Sequence, residues 1–255
     1  MQSLFHTPPP NSKTLAFSST YLIVSAYTST YLIVSSFFTS TYLIVSAFSS
    51  TYLIVSAFSS TYLIVSVFFS STYLIVSVFS STYLIVSSYT STYLIVSAFF
   101  SSTYLIVSAF FSSTYLIVSA YTSTYLIVSS FTSTYLIVSS YTSTYLIVSS
   151  YTSTYLIVSS YTSTYLIVSS FYTSTNFIVS AYTSTYLIVS AFYTSTNLTI
   201  SLTTTTTTTM QSPPTSLPPP STTITISLTT TTTISLPQPP SPSSSTLHHN
   251  HHLPH

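Results

Sequence analysis

The sequence predicts a low-complexity tandem repeat that, where it folds, is all-β: a β-solenoid or a stacked-strand, amyloid-like array. Three observations lead there. A unit of the form S/T-S-T-Y-L-I-V-S-x-F/Y recurs 18 times in a chain of 255 residues. Its Thr, Tyr, Ile, Val and Phe favour strands, while Ser and Thr compete with the backbone in helices. Ten residues also match helical periodicity badly, because three turns need about 10.8.

Taken from the N-terminus, the chain divides into three parts. Residues 1–13 form a Pro-containing head that holds the only formal charge, Lys13, and reads as disordered. Residues 14–197 are the array. Its units are marked by the residue before the aliphatic triplet, from Tyr21 to Tyr186, with Asn176 and Asn197 replacing Tyr in two of them. Of the 17 spacings, 11 are ten residues and six are eleven, and each long one contains a doubled aromatic such as Phe68-Phe69 or Phe110-Phe111. Residues 198–255 form a Thr/Ser/Pro-rich tail with Thr-Ile-Ser-Leu at Thr199–Leu202, Thr225–Leu228 and Thr233–Leu236. It reads as disordered, having too little apolar surface to offset chain entropy.

Within one unit, strand alternation places Thr51, Leu53, Val55 and Ala57 on one face and Tyr52, Ile54, Ser56 and Phe58 on the other. Neither face is polar, so burial on both sides is expected. If each unit were one coil, 18 of them would stack to roughly 85 Å at the strand spacing of about 4.7–4.8 Å. Three features oppose a regular solenoid. No unit offers Gly or Asp at a corner, the extra aromatics reverse the inward–outward register unless bulges absorb them, and no polar cap is visible.

The composition excludes most chemistry. Asp, Glu, Arg, Gly, Cys and Trp are all absent, whereas an ordinary domain is about a quarter charged. Without a carboxylate, a thiol, a Gly-rich loop or a basic patch, the chain is not expected to be an enzyme, to bind nucleic acid or a small-molecule substrate, or to carry a cofactor. Self-association is the expected partnership. Thr-Tyr-Leu-Ile-Val-Ser has the steric-zipper signature and occurs 16 times without a gatekeeper residue, so the chain reads as aggregation-prone. A bilayer is a second environment, since no charge follows Lys13, although no apolar run reaches about 18 residues.

Two weak sites stand out. His248, His249, His251, His252 and His255 cluster near the C-terminus and are metal-ligand types, though no acidic partner exists to orient them. Asn197-Leu198-Thr199 is a glycosylation sequon. The Thr-x-Thr at Thr28–Thr30 resembles the ice-binding face of insect antifreeze solenoids. That resemblance covers three residues per unit, and it lapses in the Phe-Ser-Ser-Thr units.

The vocabulary of the chain also has a genetic reading. The absent Cys, Trp, Arg and Gly share G at the second codon position, and the common variations within units are single-base changes. A minisatellite of 30 or 33 bases on a G-poor strand would yield this protein. The leading functional expectation is therefore a reading frame over tandem-repeat DNA with no selected activity, the opposite strand being a candidate for the coding one. A structural or surface repeat protein that self-associates through β-strands is the alternative, and an integral membrane protein the second. The sequence assigns no compartment; a membrane or the cell surface is a candidate location only under the two alternatives, in which the chain is expressed.

Overall fold

The structure, a computed structural model, describes residues 5–6, 11–16, 19–191, 194–211 and 223–235. All of them lie in strands: β1 (Phe5–His6), β2 (Asn11–Ala16), β3 (Ser19–Ala191), β4 (Thr194–Gln211) and β5 (Thr223–Ser235). The 173-residue β3 is one continuous path wound into a parallel β-solenoid of about eight turns. β1 and β2 pair with its first coil, β4 with its last, and β5 with β4, every pairing being parallel.

The coil is two units, not one. Tyr21 stacks on Tyr42, Tyr42 on Tyr62, and Tyr31 on Tyr52, so neighbours along the axis are 20 or 21 residues apart. Where two long units meet, the step is 22, as from Tyr93 to Tyr115. The stack is consequently about half the length that single-unit coils would give, roughly 38 Å for eight turns. Geometry explains the doubling. A closed loop of ten residues has a perimeter of only roughly 33 Å, too small to hold two facing walls about 10 Å apart. Two units supply two walls and two connecting arcs.

Each unit follows one inward–outward pattern. In Thr51–Ser60, Leu53, Val55, Ala57 and Ser60 are buried, while Thr51 and Phe58 are exposed. Leu, Val and the small residue after them form the wall, with Tyr52, Ile54 and Ser56 pointing outward. Two consecutive outward residues then make a bend, one buried Ser crosses the arc, and a second outward pair, Thr61-Tyr62, starts the next wall. Among the described residues no backbone φ is positive, so these corners need no Gly.

The same bends absorb the extra aromatic. In the long unit the outward run grows to Phe68-Phe69-Ser70, and Ser71 returns to the interior, as Ser81 does after Phe79-Ser80. No inward–outward reversal follows, because the insertion falls where the alternation is already broken. Its effect stays local. The rings of Phe69–Tyr89 and Phe100–Tyr121 separate to 6.4 Å, whereas the adjacent Tyr83–Tyr104 stack holds 4.8 Å.

The core is a pair of Leu–Val sheets facing each other, with Leu43 to Leu166 and Val45 to Val168 fully enclosed at each repeat. Burial on both faces, as expected from the composition, does not occur within one chain: Phe58, Phe79 and Tyr121 remain exposed on the outside.

The head, 1–13, and tail, 198–255, that the sequence reads as disordered lie partly outside the described residues. Where the tail is described, pairing continues past Leu198. Thr199 and Ile200 stand on Ile178 and Val179, and Thr225–Leu228 stacks in register on Thr199–Leu202. The alternation of β-branched residues in Thr-Ile-Ser-Leu matches that of Ile-Val-Ser-Ala. Leu198 thus marks a change of composition rather than of pairing. The Thr-rich strands then supply the polar closing layers that the array lacks: β4 sets Thr207, Thr208 and Thr209 beside Tyr186, Leu187 and Ile188, and β5 sets Thr233, Ile234 and Ser235 beside those. At the other end β2 sets Lys13 beside Ile33.

Candidate functional site

The side chains that repeat on the outer surface form the most extensive arrays among the described residues. Stacking converts each outward position into a column along the axis. One wall carries nine tyrosines, Tyr21 to Tyr186, with consecutive ring centroids 4.7–4.9 Å apart. The opposite wall carries seven, Tyr31 to Tyr155. Ring planes within 8° of parallel leave mostly edges and hydroxyls facing outward.

Both exceptional asparagines occupy the next two layers of that second column. Asn197 Nδ2 donates to Asn176 Oδ1 at 3.1 Å, an amide ladder in place of a ring ladder. The candidate glycosylation residue is therefore exposed, with its amide nitrogen already engaged. Sequence reasoning missed the pairing. The signal was available: Asn176 and Asn197 are separated by one short and one long spacing, which is one coil.

Two further columns line the bends. One runs Phe58, Phe79, Phe100, Tyr121, Tyr141, Tyr161 and Tyr182. Beside its tyrosines lies an open groove of about 880 Å³, floored by the small residues Ala120, Ser140 and Ser160. The narrow edges are hydroxyl surfaces. Thr28 and Thr30 are exposed around buried Ser29, which is where the Thr-x-Thr motif lies. The edge mixes Thr with Ser, and neighbouring Ser49 and Ser70 hydroxyls bond at 3.2 Å.

Inside, polar matching is poor. Among the described residues, 22 buried Ser hydroxyls have no hydrogen-bond partner: 15 in the arcs, such as Ser60 and Ser133, and seven at the wall ends, such as Ser88 and Ser140. Layers about 4.8 Å apart set stacked hydroxyls beyond hydrogen-bond reach unless the rotamers converge.

His248, His249, His251, His252 and His255 lie outside the described residues, and no potential metal cluster occurs within them. No described helix is long and apolar enough to cross a membrane, which leaves β-barrel spanning unaddressed. No protein-family model matches the chain, and comparisons with curated proteins and with solved structures find no significant match.

Proposed function

We propose that the chain is a structural repeat protein that self-associates through its β-strands. The observation that carries this reading is the chargeless periodic surface: the solenoid repeats its outward ladders layer after layer, and no charged residue follows Lys13. Strand edges at the two ends are templates for further strands, and flat Tyr–Ile walls are templates for lateral packing. A net charge of +1 offers little opposition to either. The experiment is assembly of purified full-length chain from denaturant, followed by sedimentation and electron microscopy. Unbranched filaments with a meridional reflection at about 4.7–4.8 Å are expected. A soluble monomer at the same concentration would refute the proposal.

One observation favours a second reading, a translated tandem repeat without selected activity. The 22 partnerless buried hydroxyls run against the polar satisfaction found in selected cores. The seven at the wall ends coincide with positions where Ser, Ala and Val interchange, in Ser–Ala and Ala–Val single-base steps, whereas the 15 in the arcs are Ser in every unit. An excess of synonymous over amino-acid-changing differences among the units would decide for the structural protein.

A further inference from the structure

We propose that Tyr121, Tyr141, Tyr161 and Tyr182 form an oxidative cross-linking site, at which a peroxide-driven one-electron oxidant staples successive coils through dityrosine. This goes beyond self-association, because the bonds it predicts lie within one chain.

Three observations select this column. Its four tyrosines sit on consecutive layers, with ring centroids 4.9, 4.8 and 4.8 Å apart and planes within 6° of parallel. Each is about half exposed, from 47% to 53%, whereas the interior members of the Tyr21–Tyr186 wall ladder, such as Tyr83 and Tyr104, are half-buried. The open groove alongside gives a small oxidant access to the ring edges and leaves room for the rings to turn. Neither a thiol nor an indole competes for oxidation, because Cys and Trp are absent.

The chemistry balances with hydrogen peroxide as the oxidant, acting through a peroxidase. Each of two phenols gives up one electron and its hydroxyl proton, leaving two tyrosyl radicals. The peroxide takes up the two electrons and two protons and becomes two waters. The radicals join through the ring carbons ortho to oxygen. The hydrogen on each joined carbon then moves to its own oxygen, restoring both phenols. Stacking holds the next radical site one layer away, so coupling needs a ring rotation rather than a chain encounter.

The test uses two double variants of the full chain with equal tyrosine content. Tyr121→Phe/Tyr182→Phe keeps the adjacent pair Tyr141 and Tyr161. Tyr141→Phe/Tyr182→Phe leaves Tyr121 and Tyr161 two layers apart. Phe58, Phe79 and Phe100 already hold this column, so Phe is compatible with the stack. After peroxidase treatment, dityrosine is measured by fluorescence in the monomeric band of a denaturing gel, which makes the result independent of assembly. Of the three adjacent pairs in the parent column, the first variant retains one and the second none. The column's contribution is expected to fall to about a third in the first variant and to vanish in the second, matching the fourfold Phe variant. Equal yields from the two double variants, or no loss in the fourfold variant, would overturn the proposal.

Discussion

A single residue is inward or outward here by its place in a ten-residue pattern. Leu53 and Val55 were legible as one face from alternation alone, and the structure buries both. Thr51 was assigned to that same face yet lies exposed on an arc, because alternation stops at the bend. Buried Ser escaped the reading for the same reason: beside Thr it reads as turn chemistry, and only closure of the coil reveals that it points inward. Ser140 is a useful probe. Ala98 and Ala120 occupy its column in preceding layers, so Ser140→Ala introduces no new shape and removes an unpartnered hydroxyl. The substitution should stabilise the fold by about 1 kcal/mol, seen as a higher guanidinium midpoint. Leu136→Ala, in the fully buried Leu column, should lower stability by about 2–5 kcal/mol in the same titration.

At the scale of the element, the wall and the bend tolerate change differently. A wall alternates strictly, so losing one residue sends every following side chain to the wrong face. A bend takes two outward residues in short units and three in long ones, and both return an inward Ser. Deleting Phe110 should therefore leave strand circular dichroism and protease resistance unchanged. Deletion of Ile117 should open its coil to limited proteolysis, because Val118 would then point outward. Comparable sensitivity of the two deletions would show that the bends do not absorb length. The doubled aromatics were visible in the sequence as insertions. Their harmlessness was not, since a strict two-residue period has no place for three outward residues in a row.

For the whole molecule, the sequence made the all-β class and repeat boundaries plain, but not the number of units per coil. Spacing measures the unit, whereas the coil is set by the width a Leu–Val core requires. The ends were equally hard to read. Pairing β5 on β4 makes the Thr-rich tail a closing layer, and pairing β2 on β3 places the only charge on an edge strand, where Lys discourages further pairing. Lys13→Thr should accordingly speed filament growth in light-scattering assays, and an unchanged rate would exclude the N-terminal edge as a growing end.

Two units per coil is the central claim, and the absence of Cys makes it directly measurable. Ser139→Cys/Ser159→Cys puts two thiols on neighbouring layers of one wall, where a strand spacing of about 4.8 Å falls within the Cα range of roughly 4.4–6.8 Å that disulfides need. Ser139→Cys/Ser149→Cys puts them on opposite walls across the core. Mild oxidation of each full-length variant, read by mass in the monomeric fraction, should link the first pair and leave the second reduced. Linkage of the second pair with the first left open would mean one unit per coil and would contradict the fold described above.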